Sequence, residues 1–293
     1  MWKLVRFIHG HPLVVSNRLS GFRRLIIWQI KSRLWGKEYV HSWIRGSKFY
    51  VKNGETGLTG NIYTGLHEFS DMGFLLHVLK KEDLFIDVGA NSGSYTVLAG
   101  AAIGAKTISV EPVPATFIRL VRNIELNKVQ ERCQALNIGL ASTPGILNVT
   151  VDSDTTNHLV LGAGNEKTIQ VEVRTLDQIT FGTNPVLLKI DVEGWEMPVL
   201  AGGQETLNSH SLLAVILELN GSGEKFGYTD SDILKFLNSY SFFEYSYQPL
   251  KRKLLRINGK NLKSGNTIFV RDVDEILRRI EVAPKNNILG VYF

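Results

Sequence analysis

An apolar run that breaks into a glycine-rich turn is the first stretch of this sequence suited to binding a ligand. Residues 85–96 read FIDVGANSGSYT. The candidate ligand-binding residues in this stretch are Asp87, Gly89, Ala90, Asn91 and Gly93. A strand that turns sharply into a helix around small residues is typical of sites for nucleotide-like ligands. A dinucleotide site has the pattern G-x-G-x-x-G, whereas here an asparagine replaces the second glycine and no third glycine follows.

The acids around this turn indicate which ligand it suits. The carboxylate of Asp87 would repel a pyrophosphate and attract an ammonium or sulfonium group. S-adenosylmethionine carries both of these cations and no phosphate. Glu111 lies 22 residues after Gly89 and ends the next predicted strand, an offset usual for an acid that binds ribose, and Pro112 then stiffens the chain. Because NAD also contains ribose, Asp87 and Asn91 are the residues that favour S-adenosylmethionine as the cofactor.

A second acidic stretch, LLKIDVEGWE, predicts where the chemistry takes place. On a strand, Lys189 and Asp191 point to one face, and Glu193 follows at the carboxyl end, where open α/β sheets bind ligands. Such a trio could orient a hydroxyl, take its proton or hold a divalent metal. We predict that Asp191 is the base or a metal ligand and that Lys189 and Glu193 position the acceptor. Alternatively, Glu193 and Glu196 favour the dipole of the following helix and Lys189 is only a counterion.

Two more residues are weaker candidates for the same cleft. Glu218 ends the run LLAVILELN on the next predicted strand, so a third acid would line the cleft. His158 lies in a polar loop that could fold over it and is a second candidate base, although a lone loop histidine is usually exposed to solvent.

The elements that must position these residues alternate along the chain. Strand patterns occur at 84–88, 107–111, 133–138, 186–191, 213–219, 242–247, 252–257 and 266–270. Helix patterns occur at 68–80, 93–102, 114–127, 195–207 and 230–239. Alternation of this kind predicts an α/β fold in which a parallel sheet carries helices on both faces. Runs at 145–151 and 168–173 predict a small antiparallel insertion, and the glycine-rich residues 50–68 predict short strands and tight turns.

Several of these blocks, taken in order, resemble one known family. They are FIDVGANSGSYT, VEPVPATFIRLVRNIELN, CQALNIGL, VEVRTLDQI, LLKIDVEGWEMPVLAGG, LLAVILELN and NTIFV. Together they resemble the FkbM family of S-adenosylmethionine-dependent methyltransferases over roughly residues 61–273. The combination of D-V-G-A-N with K-I-D-V-E-G is more specific than either motif alone. Trp195 is a departure, since a smaller residue is expected there.

This resemblance implies a Rossmann-like, seven-stranded class I methyltransferase sheet with an antiparallel strand at its C-terminal edge. It also implies O-methylation of a small-molecule or glycan acceptor, such as a sugar or a natural product. The turn from Asp87 to Gly93 would then hold the cofactor, Glu111 would bind its ribose, and Lys189, Asp191 and Glu193 would face the transfer site.

The N-terminal segment has a different character from the rest of the chain. Residues 1–48 contain ten Lys or Arg and one acid, for a charge of 10 − 1 = +9, whereas the whole chain carries +5, which leaves 5 − 9 = −4 for the remainder. Phe22, Ile26, Ile30 and Leu34 recur at helical spacing among these cations. The segment is either a helix that covers the main domain or one that lies on an anionic membrane surface. We predict a basic helical extension at 1–60 and a methyltransferase domain at 61–293.

Composition limits the cellular setting. No stretch approaches the roughly 20 apolar residues of a membrane-spanning helix, and cations interrupt any secretory signal. The single cysteine, Cys133, excludes internal disulfides and thiolate zinc clusters, fits a reducing compartment and is expected to have a packing role. These features predict a cytoplasmic protein with a possible peripheral membrane contact.

Three other functions compete with this prediction. A nucleic-acid methyltransferase is disfavoured, because the main domain is acidic and the usual Asn/Asp-Pro-Pro-aromatic run is replaced by KIDVEG. We therefore expect no nucleic-acid partner. A NAD-dependent oxidoreductase is disfavoured by the turn, and a noncatalytic membrane-associated scaffold remains the third alternative. The sequence leaves the oligomeric state and metal dependence open.

Overall fold

The computed structural model describes residues 2–34, 38–52, 56–150, 159–160 and 168–293. The helices are α1 (Trp2–Gly10), α2 (Arg18–Leu34), α3 (Thr56–Thr64), α4 (Phe69–Val78), α5 (Ser94–Val97), α6 (Pro114–Leu126), α7 (Leu176–Thr180), α8 (Glu196–Ala201), α9 (Gln204–Asn208), α10 (Asp230–Ser239) and α11 (Val273–Val282). The strands are β1 (Tyr39–Ser42), β2 (Lys48–Val51), β3 (Leu84–Val88), β4 (Lys106–Val110), β5 (Cys133–Leu136), β6 (Gly139–Leu140), β7 (Gly145–Thr150), β8 (Leu159–Val160), β9 (Thr168–Arg174), β10 (Pro185–Ile190), β11 (Ala214–Glu218), β12 (Phe243–Gln248), β13 (Lys253–Arg256), β14 (Asn266–Val270), β15 (Asn287–Ile288) and β16 (Val291–Tyr292). No helix within these ranges is long and apolar enough to cross a membrane.

The central sheet confirms the predicted α/β class. Its strand order is β13-β12-β14-β11-β10-β3-β4-β5, in which β11, β10, β3, β4 and β5 run parallel and β14 runs antiparallel to both of its neighbours. The sheet has eight strands instead of seven, because residues 253–256 pair with β12 and extend the edge.

Side chains alternate between two apolar layers, one on each face of the sheet. On β3, Phe85 packs into the layer that includes α4 and α11, whereas Ile86 packs into the layer that includes α8, α9 and α10. On β10, Leu187 and Leu188 divide in the same way. Because strand side chains alternate with a period of two, Asp87 lies on the α4 face of the sheet with Phe85.

The predicted antiparallel insertion is confirmed in its described part. β7 pairs antiparallel with β9 over the register Gly145 to Thr150, and β6 joins β9 in a separate four-stranded sheet. Residues 151–158 and 161–167, which include the predicted polar loop between these strands, lie outside the described residues.

The prediction of short strands and turns across residues 50–68 is wrong beyond β2, because residues 56–64 form α3. Gly60 serves close packing, since a Cβ there would lie 2.1 Å from Nδ1 of His67, whereas Gly65, with φ of +80°, lies in the bend after α3. The predicted boundary at residue 60 stays a prediction, and α3 runs across it.

The predicted helix at 195–207 is also divided, into α8 and α9. A Cβ on Gly202 would lie 2.2 Å from the carbonyl oxygen of Ala141, so the chain breaks where it passes this backbone. The predicted helix at 93–102 continues from α5 into a π-helical segment, Leu98–Ile103. Cys133 is buried against this segment, 2.2 Å from where a Cβ on Gly100 would stand, as a packing role requires.

The N-terminal helices form a small core of their own. Ile8, Val14 and Trp28 pack with Phe49 of strand β2 and Leu58 of helix α3. On α2 the buried face is the one that carries Trp28, whereas Ile26 and Ile30 of the predicted apolar stripe are exposed. The helix therefore covers the domain, but through a different face from the stripe.

Candidate active site

A cleft of about 360 Å³ lies at the carboxyl ends of β3, β4, β10 and β11. The sheet reverses its strand order between β3 and β10, since β4 and β5 follow on one side and β11 on the other. Ligands of open α/β sheets bind at this kind of switch point. The predicted cofactor-binding and catalytic residues all line this cleft, except Gly93, which begins α5 beneath it, and His158, which lies outside the described residues.

Gly89 allows β3 and β10 to end in contact. Its φ is +78°, and a Cβ at this position would lie 1.8 Å from the carbonyl oxygen of Asp191. The amides of Gly89 and Ala90 both donate to the carbonyl oxygen of Val110, at 3.0 and 2.9 Å. The turn after β3 is therefore held against the strands on both of its sides, and only glycine fits its first position.

Asn91 also has a left-handed backbone, with φ of 50°. Asparagine tolerates this conformation better than most residues. Its side-chain oxygen accepts hydrogen bonds from the amide of Ser92 at 2.6 Å and from the hydroxyl of Ser92 at 3.1 Å. The asparagine that distinguishes this turn from a dinucleotide motif thus has a conformational role in the turn itself.

Glu111 ties the glycine turn to the end of β4. One carboxylate oxygen accepts from the amide of Asn91 and the other from the amide of Val113, both at 3.0 Å. Burial raises the pKa of Glu111 to about 7, against the opposing effect of these hydrogen bonds. A buried carboxylate beside the turn is well placed to accept hydrogen bonds from ligand hydroxyls, and the adjacent Pro112 lines the same wall.

Asp87 and Lys189 face each other across neighbouring strands, because they are register partners on β3 and β10. Asp87 is buried and accepts a hydrogen bond from the hydroxyl of Thr96 at 2.7 Å. Burial raises the pKa of Asp87, and the nearby Lys189 opposes that rise. Asp87 therefore belongs to a buried charge network as well as to the cleft wall.

Lys189 is the buried cation at the centre of this network. Its side chain is 4% exposed, and its Nζ lies 2.7 Å from a carboxylate oxygen of Asp191. Burial alone would lower the pKa of Lys189, but Asp191, Glu68 and Asp87 together raise it above its ordinary value. The lysine therefore remains charged at physiological pH and is unsuited to act as a base.

Three carboxylates meet at the ends of β10 and β11. Asp191, Glu193 and Glu218 each offer an oxygen within 4.8 Å of the others, a spacing that could hold a divalent cation. Burial raises the pKa of Glu218 to about 8, with further contributions from Asp191 and Glu193. Its Oε2 is buried and has no hydrogen-bond partner among the described residues. Sequence reasoning gave Glu218 a minor place, yet its pKa of about 8 is close to neutral pH, as acid–base catalysis requires.

Glu193 and Glu196 lie in different surroundings. Glu196 starts α8, and its Oε1 accepts hydrogen bonds from the amides of Gly194 at 3.0 Å and Val192 at 3.4 Å, so it ties the turn after β10 to the start of the helix. Glu193 instead lines the cleft in a left-handed conformation, with φ of 53°. This conformation is unfavourable for a glutamate, and strain of this kind concentrates at functional sites.

Sequence reasoning missed a group of polar residues behind Lys189. The hydroxyl of Tyr95 donates to Glu68 at 2.7 Å, and the side-chain amide of Asn266 donates to the other oxygen of Glu68 at 3.0 Å. The Nζ of Lys189 lies 4.7 Å from the centre of the Tyr95 ring. Tyr95 stands two residues after Gly93 and could have been noticed there, whereas Glu68 and Asn266 belong to no motif.

Trp195 forms part of the apolar wall opposite the charges. Its indole N–H donates to the carbonyl oxygen of Leu140 at 3.1 Å, and its ring packs edge-on against Phe226. The unusually large residue at this position therefore links α8 to the start of the insertion and narrows the cleft.

The charge of the cleft lining is strongly acidic. The carboxylates are those of Glu68, Asp87, Glu111, Asp191, Glu193 and Glu218. The charged cation among the described lining residues is Lys189, and burial lowers the pKa of the other basic residue, His67. Such a site favours a positively charged ligand and disfavours the phosphates of a dinucleotide or of a nucleic acid.

Comparison with known proteins agrees with this geometry. The family model described as the methyltransferase FkbM domain matches residues 87–247, which is more than half of the chain. The hexuronic acid methyltransferase AglP of Haloferax volcanii is 28% identical over 166 residues, covering 56% of this chain and 65% of that protein. The tRNA(Phe) (4-demethylwyosine(37)-C(7)) aminocarboxypropyltransferase of Pyrococcus horikoshii is 27% identical over 122 residues, covering 37% of this chain and 44% of that protein.

The chain spans less than two thirds of the length of these curated relatives. Among solved structures, a SAM-dependent O-methyltransferase from Thermotoga maritima aligns with a TM-score of 0.39 and 15% identity, over 69% of this chain and 63% of that one.

Proposed function

From the premise that the chain belongs to the FkbM methyltransferase family, we propose that it transfers a methyl group from S-adenosylmethionine to a hydroxyl oxygen of a sugar, glycan or natural product. The observation that carries the proposal is the cleft at the sheet's switch point, whose described lining carries six carboxyl groups and one charged lysine. This lining suits a cofactor with an ammonium and a sulfonium and no phosphate.

The residues of the glycine turn fit this cofactor. Gly89 lets the turn pass directly against the end of β10 while it lines the cleft, and Glu111 presents a buried carboxylate for the ribose hydroxyls. Asp87 supplies negative charge on the α4 face, and Ala90 and Pro112 provide small or rigid walls. When bound, the cofactor would supply an electrophilic methyl carbon on a sulfonium, and the rest of the cofactor would leave as a neutral thioether.

The acidic cluster at the ends of β10 and β11 prepares the acceptor. An alcohol is a poor nucleophile until its proton is removed, so a base must lie beside the hydroxyl. We assign proton acceptance to Glu218, whose pKa of about 8 is raised by burial and by Asp191. Asp191, held by Lys189 at 2.7 Å, and Glu193 orient the hydroxyl. With cofactor and acceptor bound, the hydroxyl oxygen would gain the methyl group that the sulfur loses, and Glu218 would take the hydroxyl proton.

This assignment refines the sequence-based hypothesis that Asp191 is the base. The ion pair with Lys189 keeps Asp191 oriented, whereas the Oε2 of Glu218 is buried without a partner among the described residues and is therefore the freer proton acceptor. His158 remains a candidate second base on sequence grounds alone.

The acceptor class is supported by one relative. AglP is, by its name, a hexuronic acid methyltransferase, and its alignment covers 56% of this chain. A sugar bearing hydroxyl groups is consistent with a cleft lined by both acids and apolar residues. The NAD-dependent and nucleic-acid alternatives both require phosphate binding, which the acidic lining opposes.

Parallel calorimetry with S-adenosylmethionine and NAD tests the cofactor. We expect S-adenosylmethionine to bind and NAD to give no signal, and binding of NAD alone would overturn the proposal. A second step tests the acceptor with labelled S-adenosylmethionine and a panel of sugars that includes hexuronic acids. Methyl transfer to a hydroxyl gives an ether that survives mild alkali. A product that alkali releases would be an ester, and the hydroxyl assignment would then be wrong.

The same assay, repeated with EDTA and then with added Mg²⁺, tests whether Asp191, Glu193 and Glu218 act with a metal ion. Full activity in EDTA would leave the three carboxylates as acid–base and positioning groups only. Loss of activity that Mg²⁺ restores would assign them a metal.

A further inference from the structure

Helix α2 presents an apolar and cationic face that packs against none of the cores described above. Leu19, Ile26 and Ile30 are 84%, 57% and 51% exposed. Arg23 and Arg33 are also exposed, and the positions 19, 23, 26, 30 and 33 recur every three or four residues. Residues at this spacing lie along one side of a helix. We call these five residues the outer face of α2.

The fold does not require this outer face. α2 is held by its opposite side, where Trp28 is 3% exposed and packs with Phe49 and Leu58. At Gly21, a Cβ would lie 2.4 Å from a methyl carbon of Val14, so the helices α1 and α2 meet closely there. Arg24 also turns inward and donates to the carbonyl oxygen of Tyr63 at 2.9 Å. The exposed isoleucines are therefore not part of a packing layer among the described residues.

The charges of α2 are of one sign. The helix contains no Asp or Glu, and Arg18 at its start is exposed as well. Residues 1–48 carry a net charge of 10 − 1 = +9, while the rest of the chain carries 5 − 9 = −4. Negative charge on the body of the protein would keep that part away from an anionic surface and orient the molecule with its N-terminal layer toward it.

We propose that the outer face of α2 docks on an anionic lipid bilayer, with the helix lying parallel to the membrane plane. A 17-residue helix is about 25 Å long, enough to place Leu19, Ile26 and Ile30 at the boundary between headgroups and acyl chains. Arg18, Arg23 and Arg33 then lie among the anionic headgroups. Trp2, which is 87% exposed at the start of the neighbouring α1, is of the residue type enriched at membrane interfaces.

Two other occupants fit the face less well. A second copy of this chain would bring two sets of arginines together without any acid on α2 to neutralise them. A nucleic acid would satisfy the arginines but would leave three large aliphatic side chains against phosphates and water. Only a lipid surface offers anions and an apolar layer within the depth of one helix.

Sedimentation of the full-length protein with vesicles tests the proposal. We expect binding to vesicles of phosphatidylcholine with 30% phosphatidylglycerol (a composition about that of an anionic membrane) and little binding to phosphatidylcholine alone. Combined Arg18→Gln, Arg23→Gln and Arg33→Gln should weaken partitioning by about 100-fold, since each arginine near the surface contributes roughly fivefold.

Two further variants separate charge from apolar contact. A matched control, Lys251→Gln with Lys263→Gln and Lys285→Gln, removes three exposed cations from other parts of the surface and should leave vesicle binding unchanged. Combined Leu19→Gln, Ile26→Gln and Ile30→Gln keeps the charge and should also abolish binding, because charge alone does not insert a helix.

Several outcomes would overturn the proposal. They are an absence of sedimentation with anionic vesicles, equal binding to neutral vesicles, and equal losses in the arginine variant and the lysine control. If the unmodified protein bound duplex or single-stranded RNA but not vesicles, and the arginine variant lost RNA binding, the face would be reassigned to nucleic acid. If the protein sedimented as a dimer and the combined Leu19→Gln, Ile26→Gln and Ile30→Gln variant sedimented as a monomer, the face would be reassigned to a second copy of the chain. Cofactor binding is measured on each variant and is expected to be unchanged, so failure here is distinguishable from failure of the proposed activity.

Discussion

Two acidic strand ends in the cleft use the same residue type in opposite ways. At the end of β4, both oxygens of Glu111 accept backbone hydrogen bonds at 3.0 Å, one of them from the glycine turn. At the end of β11, the Oε2 of Glu218 is buried with no partner among the described residues, and Asp191 and Glu193 lie close by. Burial raises the pKa of Glu111 to about 7 and of Glu218 to about 8.

The comparison shows how neighbours decide what a buried carboxyl can do. Backbone amides fix the Glu111 carboxylate in one orientation, so it shapes the turn and presents a rigid acceptor. Burial, and after it the like charges of Asp191 and Glu193, raise the pKa of Glu218 without fixing its geometry, so it can exchange a proton near neutral pH. We therefore propose that the first strand end holds the ligand and that the second handles a proton.

The largest expected effect comes from changing Gly89, on which the ligand-holding turn beside Glu111 depends. Gly89→Ala would place a Cβ 1.8 Å from the carbonyl oxygen of Asp191, so the ends of β3 and β10 must separate. We expect no measurable S-adenosylmethionine binding by calorimetry and a loss of stability of about 3 kcal/mol in denaturant unfolding.

Gly259→Ala is the matched control for this variant. Gly259 also has a positive φ, of +81°, but a Cβ there would meet nothing within 4 Å. Its cost should be only the roughly 1 kcal/mol of the left-handed backbone, with cofactor affinity unchanged. Equal behaviour of the two variants would mean that backbone conformation, and not the contact with β10, makes Gly89 necessary.

The next largest effect, that of Glu218→Gln, distinguishes the strand end at Glu218 from the one at Glu111. Glu218→Gln removes the proposed proton acceptor while keeping the size of the side chain, so methyl transfer should fall by about 100-fold. Cofactor affinity should stay within about twofold, because this carboxyl is assigned no cofactor contact. A single-turnover assay at saturating cofactor measures the rate. An unchanged rate would remove Glu218 from proton transfer and return the role to Asp191.

A smaller effect tests the electrostatic link between Asp191 and Glu218. Asp191 is a charge that raises the pKa of Glu218, so Asp191→Asn should lower that pKa. The acidic limb of the kcat profile should then move to lower pH, and the rate on the alkaline plateau, where Glu218 is ionised in both proteins, should fall by about tenfold, because a weaker base takes the proton. A profile that keeps its position while the rate falls would mean that Asp191 acts only by orienting the acceptor.

The charged residues at the carboxyl ends of the parallel strands could be predicted from the sequence, because their positions follow from local rules. Strand periodicity places Asp87 and Lys189 on one face, and parallel topology brings the carboxyl ends of neighbouring strands together. The polar group behind Lys189 could not be predicted in this way. Glu68 and Asn266 are 198 positions apart in sequence, and they meet only because β14 runs antiparallel beside β11 while α4 covers that face.

The helix α3 shows the opposite limit, where a local rule misleads. Glycines in residues 50–68 predict turns, but Gly60 lies in a helix. A glycine is needed there because the ring of His67 packs where a Cβ would be. A glycine reports that space or a special φ is needed, and the sequence does not say which.

The smallest expected effect is on the pH dependence of stability. A carboxyl whose folded-state pKa is raised contributes stability that is fully present below its unfolded value, about 4.3 for glutamate, and is lost as pH rises through the folded pKa. Asp71, Glu111 and Glu196 have folded pKa values of about 7, and that of Glu218 is about 8. The carboxyl contribution to the unfolding temperature should therefore fall as pH rises from about 4.3 to about 8, the interval in which the unfolded chain has lost these protons and the folded protein still holds them.

Histidines oppose this trend at lower pH. Burial lowers the pKa of His11 and His77 to about 4, so their contribution to stability increases as pH rises toward 6.5 and is constant above it. Thermal unfolding of Glu111→Gln and Glu218→Gln from pH 5 to 8.5 then distinguishes the two strand ends. Glu111→Gln should reduce the pH dependence only below about pH 7, whereas Glu218→Gln should reduce it up to about pH 8, because a neutral amide cannot titrate. If both variants lost the same part of the curve, the two carboxyls would have the same proton affinity, and the division between a holding end and a proton-handling end would not stand.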